Sequence, residues 1–423
     1  MRRSAFGRAA AVTARAVAAG TVAALLATGC TADPAPPPPP PPLELAWQEV
    51  SLPAAPAGLR TLLRAAAICD GRWYLVGGYL DPTVGDSPDA TAPAAWTSTD
   101  GRTWTPMAFA FSGRNYWATV AVLYSAACRG EHLVTIGAKP GGAHGNPRVM
   151  TFHPVAAPDG TDVLTEQVAY FETYGGPTAN NVSLLRSGPD GLLITGNRTS
   201  GAAVWNSTDG VEFELLESAP VLAVAPGEQT WAYDAVAVDG GWVVVGGALP
   251  DGRIDRDAAA WQSADGRTWQ RMAVPHDDTA YDELGLVIAD GATLVAVGRT
   301  GDHFQAWRRT AGGWRYGGTF GSAVLDAVTP GGPLSVPYPA DLAGVGGLLV
   351  TAVASRGTHE LYGSTDGGLT WRFVPLPQPG PAGAGRDVVL AGVPARDGAP
   401  DRLLMAIDDG TDARLFLADL AAR

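Results

Sequence analysis

AAWTSTDGRTWTPM, Ala94 to Met107, returns as AAAWQSADGRTWQRM, Ala258 to Met272, and more loosely as LYGSTDGGLTWRFVPL, Leu361 to Leu376. In each copy a short apolar run ends in Ser, a Gly-containing turn follows, and Thr-Trp opens a second run. An Asp there accepts bonds from amides two or three residues on, Gly supplies positive φ, and Thr and Trp start a returning strand. The copies therefore read as one hairpin that the fold uses repeatedly.

A second landmark is more regular: WYLVGG from Trp73, HLVTIG from His132, GLLITG from Gly191, WVVVGG from Trp242, TLVAVG from Thr293, LLVTAV from Leu348 and LLMAID from Leu403. These seven runs, fifty to sixty residues apart, are too short and too β-branched for helices and read as buried strands. Each follows another apolar strand and a turn, as in DAVAVDGGWVVVGG, Asp234 to Gly247, and the opening hairpin adds two more strands. A lone four-stranded sheet of this kind has two apolar faces and must stack on neighbours. The expected fold is all-β: a seven-bladed β-propeller of four-stranded antiparallel blades. The last unit supplies only DVVLAGV, RLLMAI and ARLFLADL, whereas LAWQEVSLP, Leu45 to Pro53, matches the outer-strand pattern TWQRMAVP. The N-terminal strand should thus join the last blade and close the ring.

Ahead of that strand, a basic MRRSAFGR and an apolar stretch from Ala16 to Leu26 lead to ATGC, Ala27 to Cys30, too short an apolar core to span a membrane. The segment resembles a bacterial lipoprotein signal, with Ala27 where that family prefers Leu. The resemblance implies cleavage after residue 29, acylation of Cys30 and attachment to the extracytoplasmic face of the cell membrane. Each buried acyl methylene contributes about 0.8 kcal/mol, so several chains make a durable anchor. The run Pro36 to Pro42 reads as a stiff extended spacer of about 20 Å. The expected organisation is a signal at 1–29, a lipidated, proline-rich tether at 30–44 and the propeller at 45–423.

The chain holds 29 basic and 42 acidic residues; with the four arginines of residues 1–29 removed, the net charge falls from −13 to −17. Such a surface repels nucleic acid and anionic lipid. Cys69 and Cys128 open the similar segments CDGRWYLVGG and CRGEHLVTIG in neighbouring units. A disulfide or two buried thiols fit them equally.

STDGGLTW, Ser364 to Trp371, fits the pattern SxDxGxTW and so resembles the Asp-box, or BNR, repeat of sialidases and related propellers. STDGRTW (Ser98 to Trp104) and SADGRTW (Ser263 to Trp269) are one residue shorter, STDGVEF (Ser207 to Phe213) lacks the Trp, and TAGGW in the fifth unit lacks the Asp. In the family this hairpin joins third and fourth strands on the face opposite the sialidase active site. Asp100, Asp209, Asp265 and Asp366 are accordingly read as structural.

The opposite face then carries the longer, more varied loops, where function usually sits. Segments entering the innermost strands read RNYWATV, TWAYDAV, TAYDELG, PYPADLA and GRDVVLA. They place Arg114, Tyr116, Trp117, Tyr233, Asp234, Tyr281, Asp282, Tyr338, Asp341, Arg386 and Asp387 around one channel mouth. Converging aromatics and carboxylates can stack and hydrogen-bond a sugar; the architectural alternative has each Asp satisfying backbone amides and each aromatic filling space between blades.

A sialidase needs an arginine triad, a Tyr and Glu pair as nucleophile and an Asp acid/base, and its first arginine sits in a Phe or Tyr, Arg, Ile, Pro motif. No such tetrapeptide occurs; Arg60 in GLRTLLR lacks that context. No cofactor motif appears, the six histidines show no metal-ligand spacing, and HDDTAYDE, His276 to Glu283, lacks the glycine-punctuated spacing of a calcium loop. The expectation is a monomeric, membrane-anchored, non-catalytic module binding a glycan, peptide or protein. A glycoside hydrolase using carboxylates at the channel mouth and an assembly scaffold for an envelope complex are the alternatives.

Overall fold

Polypeptide alternating between apolar runs and Gly-containing turns can satisfy its backbone only by pairing each run with the next. The computed structural model does so seven times, and it describes residues 40–421 except 86, 142–146, 159, 225, 326–335 and 397. Cys30 and the start of the proline run lie outside the described residues. Seven four-stranded antiparallel sheets form a ring, a β-propeller. Among the described residues no helix is long and apolar enough to cross a membrane.

Blade 4 shows the plan, with strands Glu228–Val238, Gly241–Pro250, Asp257–Ser263 and Gln270–Met272 in sequence order from the axis outward. Inner hairpins turn tightly: in blade 1, Asp70 (φ 48°) and Gly71 (φ 82°) both adopt the left-handed conformation between paired Cys69 and Arg72. That pair of positive φ values matches the twist of the flanking strands. Six of the seven innermost strands carry a bulge, as between Ala232 and Asp234 in blade 4. A bulge sharpens the local twist and re-aims the next side chain, here toward the neighbouring blade.

Each blade is apolar on both faces, and the described core divides into seven clusters, one at every blade-to-blade interface. Trp96, Trp205, Trp261 and Trp307, on the third strands of blades 1, 3, 4 and 5, are fully buried between sheets. The disulfide Cys69–Cys128, with Cα atoms 5.3 Å apart, joins the innermost strands of blades 1 and 2.

The ring closes as its sequence implies. Blade 7 comprises Asp387–Val393, Arg402–Asp408 and Ala413–Asp419, and the N-terminal strand Gln48–Val50 pairs with the last of these through Gln48↔Leu417 and Val50↔Leu415. The compact unit begins at Pro41, ahead of Leu45. Leu43 N donates to Phe373 O at 2.8 Å, and Arg372 Nε and Nη2 donate to the Pro41 and Pro42 carbonyls at 2.8 and 2.7 Å. Residues assigned to the end of the tether thus lie along the outer strand of blade 6, because proline lacks an N–H but keeps a carbonyl that accepts. One local expectation is corrected: RNYWATV does not run directly into a strand. Tyr116–Val120 forms a short helix, capped by Asn115 Oδ1 accepting from Trp117 N, before the strand Val122–Arg129 begins.

Candidate functional site

The antiparallel order puts all turns between third and fourth strands at one end of the ring and the longer connections at the other. At the first end, Asp265 Oδ1 accepts from Arg267 N at 2.8 Å and Thr268 N at 2.7 Å, and Thr268 Oγ1 donates to Oδ2 at 3.2 Å. Asp100 repeats this with Arg102 N and Thr103 N, Asp209 with Val211 N and Glu212 N, and Asp366 with Leu369 N and Thr370 N. The Thr268 and Arg267 amides hold the Asp265 carboxyl down at about 2. At Asp100 burial acts upward, but the Thr103 and Arg102 amides prevail and hold it at about 2. These bonds are local and internal to each turn.

At the other end, the eleven residues singled out above do not ring a single opening; they separate into three settings. Tyr233, Tyr281 and Tyr338 line one basin of about 1020 Å³ above blades 4 to 6, together with Trp231, Arg256 and Glu283. Arg256 lies 3.9 Å from the centre of the Trp231 ring, a cation–π contact, and its Nη1 donates to Tyr233 Oη at 2.5 Å, Tyr281 Oη at 3.2 Å and Glu283 Oε2 at 3.2 Å. Tyr281 Oη donates to Glu283 Oε2 at 2.6 Å, and Arg299 lies 4.6 Å from the Tyr281 ring. Burial, then the nearby Glu283 charge, pushes the Tyr233 and Tyr281 phenols well above their ordinary range, so both are neutral donors.

Arg114 and Trp117 line a second, smaller pocket of about 460 Å³ between blades 2 and 3, where Arg148 lies 5.0 Å from the Phe171 ring and 5.7 Å from Trp117. Tyr116 is half exposed, and its hydroxyl meets Asp89. Tyr116 and Trp117 stand on the helix Tyr116–Val120, and Arg114 precedes its cap Asn115.

Several of the aspartates occupy the channel or the walls between blades. Asp234 is fully buried and accepts from Arg186 Nε at 2.7 Å and Nη2 at 3.1 Å, from Ala235 N at 2.8 Å, and from Val287 N of blade 5 at 2.9 Å. Asp341 accepts from Leu342 N at 2.8 Å and from Leu390 N of blade 7 at 2.7 Å. Asp282, also buried, accepts from Asp277 N at 2.6 Å. Arg386 Nε donates to Asp409 O at 3.2 Å. Asp341 and Asp387 line the central channel, of about 580 Å³, with Arg64 and Arg186. Burial pushes the Asp341 carboxyl up to about 6. It pushes Asp387 up to about 7, although Arg64 Nε lies 3.4 Å from Oδ2. Arg60 and Arg64 both pair with the buried Asp408, at 2.5 and 2.6 Å, across the junction where blade 7 meets blade 1.

Sequence reading missed Trp231, Arg256, Glu283 and Arg299. Strand alternation held the signal for two of them, since Trp231 shares a face with Tyr233, and Glu283 with Tyr281, while Asp282 points the other way. Arg256 stands in a loop whose path no local pattern reveals.

No protein-family model matches the chain, and no curated protein matches it in sequence. In three dimensions it is similar to the β-propeller domain of the trilobed protease from Pyrococcus furiosus, with 12% identity and a TM-score of 0.47 over 86% of this chain and 94% of that one. It is also similar to the phage phi92 endosialidase, with 10% identity and a TM-score of 0.47 over 90% of this chain and 70% of that one. A Trypanosoma rangeli sialidase in complex with 2,3-difluoro-KDN is similar over 89% of this chain and 59% of that one, with 13% identity and a TM-score of 0.44. These likenesses concern the β-propeller fold alone. The class defined here is a β-propeller with an aromatic basin at its loop end.

Proposed function

We propose that the protein is a lipid-anchored, extracytoplasmic, non-catalytic propeller of the Asp-box kind whose basin binds a glycan. The basin carries this reading. Trp231 and Tyr338 present ring surface, while Arg256, Glu283, Tyr233 and Tyr281 form one hydrogen-bonded set that matches the alternating apolar and hydroxylated faces of a sugar. That set is already mutually paired, so it supports recognition more readily than proton transfer. Attachment through Cys30 rests on the lipobox-like ATGC and the proline run that follows.

A hydrolase is favoured by a separate observation. Asp341 and Asp387, with carboxyls at about 6 and about 7, are partly protonated near neutral pH in the channel beneath the basin. A glycan panel separates the two readings. Saturable binding without released sugar, weakened about tenfold or more by Trp231→Ala, fits the binding module; turnover abolished by Asp387→Asn would make it an enzyme. Protein capture with no glycan binding would turn the reading toward an envelope scaffold. Cys30→Ser should move the protein from the membrane to the soluble fraction, and a wild type already soluble removes the anchor from the proposal.

A further inference from the structure

Each of the four Asp turns is held by the blade before it. Thr208 O in blade 3 accepts from Arg129 Nε of blade 2 at 2.8 Å, and Gly266 O in blade 4 from Asn206 Nδ2 of blade 3 at 2.9 Å. Gly367 O in blade 6 accepts from Arg308 Nε of blade 5 at 2.5 Å, and Asp100 O in blade 1 from Arg402 Nη1 of blade 7 at 3.2 Å. Glycine favours this approach: Gly266 has φ 68°, and a Cβ there would lie 2.4 Å from Asn206 Oδ1, so the Asn206 amide would have to shift. Asn206 and Arg308 share one register position, opposite Leu193 and Val295 on the second strands, and in blade 4 that position is Gln262, opposite Val243.

Blade 5 has no Asp turn to offer Gln262. Its strands His303–Thr310 and Gly313–Phe320 are joined by Ala311 and Gly312 alone. Gln262 instead reaches Gln270 Oε1 at 3.4 Å and accepts from Arg309 Nη2 at 3.3 Å, both long contacts. A depression of about 860 Å³ opens there between blades 4 and 5, lined among others by Asp239, Trp242, Gln262, Gln270 and Arg309.

Blade 7 also lacks such a turn, because its fourth strand comes from the N-terminus. The equivalent position on blade 6 is Gly363, opposite Val350, and a segment from elsewhere in the chain covers it: a Cβ on Gly363 would lie 2.7 Å from Leu43 Cδ2. The ring therefore shows both what fits this position, a glycine-containing turn, and that a turnless junction can be covered by a distant segment.

We propose that the depression between blades 4 and 5 is a docking site for a partner protein, which inserts an Asp-Gly turn and presents a backbone carbonyl to Gln262. The site lies at the opposite end of the ring from the basin, so it stands or falls independently of glycan binding. The probe is a cyclic peptide carrying this chain's own turn, QSADGRTWQ, Gln262 to Gln270, titrated calorimetrically into the full chain. Saturable binding is expected, weakened roughly fivefold by Gln262→Ala, the loss of about one hydrogen bond. A peptide with valine in place of its glycine should not bind, since the close approach is lost.

Grafting SADGRTW in place of Ala311–Gly312 should fill the depression from within and abolish binding without lowering the melting temperature. If that graft does not fold, Gln262→Ala and the valine peptide still decide. Absence of saturable binding at millimolar peptide, or binding indifferent to both changes, overturns the proposal. Displacement of the peptide by a simple sugar would make the depression a carbohydrate site and overturn it as well.

Discussion

The two ends of the ring solve the same problem, joining strands, by different means. At the Asp-turn end, a carboxylate, two amides and a threonine hydroxyl within four residues make nearly the same bonds at Asp100 and Asp265. At the loop end, Arg256 of one connection meets Trp231, Tyr233, Tyr281 and Glu283 of blades 4 and 5, and among the described residues no other blade repeats that set. Repetition marks a place where local bonding suffices. Irregularity marks a place where distant segments have been brought together, and that is where a ligand can be discriminated.

The comparison breaks most sharply if damage at the two ends has the same character. Between them lies the shared core: Trp261→Ala, which empties a fully buried site between blades, should cost about 3 to 5 kcal/mol in denaturant unfolding. Asp234→Ala leaves Arg186 and the Val287 amide without their acceptor, and should cost about 3 kcal/mol even though it directly follows the basin residue Tyr233. Were Asp234→Ala to leave stability intact and remove ligand binding, Asp234 would belong to the site and not to the scaffold.

Asp265→Ala at the regular end should cost only about 1 kcal/mol, since its bonds are exposed to solvent, with no change in basin binding. Trp231→Ala should show the reverse, a binding defect with the melting temperature nearly unchanged.

The remaining test is of pH dependence. Asp341 and Asp387 have carboxyls raised to about 6 and about 7, so the folded chain holds their protons where the unfolded chain has released them. Their contribution is fully present below the ordinary carboxylate range near pH 4 and is lost as pH rises through 6 to 7. Melting temperature should therefore decline modestly between pH 5 and 8, and Asp387→Asn should flatten that decline. The Asp turns work in the opposite sense: with Asp100 and Asp265 held at about 2, their contribution is present above pH 4 and lost only in stronger acid.

Much of the architecture is legible in the chain because each signal is local. The runs ending in glycine mark second strands: a Cβ at Gly246 would lie 1.8 Å from Trp231 O, so the bulged first strand excludes any larger residue. LAWQEVSLP resembles an outer strand closely enough that its pairing with Ala413–Asp419 across the whole chain could be foreseen. The site was less legible. Tyr281 and Tyr338 precede or open innermost strands as the pattern implies, whereas the blade 4 strand begins at Glu228, so Tyr233 lies in its middle; the same rule also gathers Asp234 and Asp341, whose acceptors face the backbone of the next blade. A residue at a strand start can point into the channel, into the interface or into a loop. The bulge that chooses among these depends on how neighbouring blades twist.

By itself, then, the sequence determined the number of blades, their four-strand plan, the closing strand and the end that bears the Asp turns, since all of these follow from periodicity and turn chemistry within some sixty residues. Only the tertiary structure decided which side chains share a basin, which carboxylates are buried in the channel, and that a depression opens between blades 4 and 5 beside Gln262. Those outcomes arise where segments remote in the chain meet, and a contact between them leaves no period for the sequence to display.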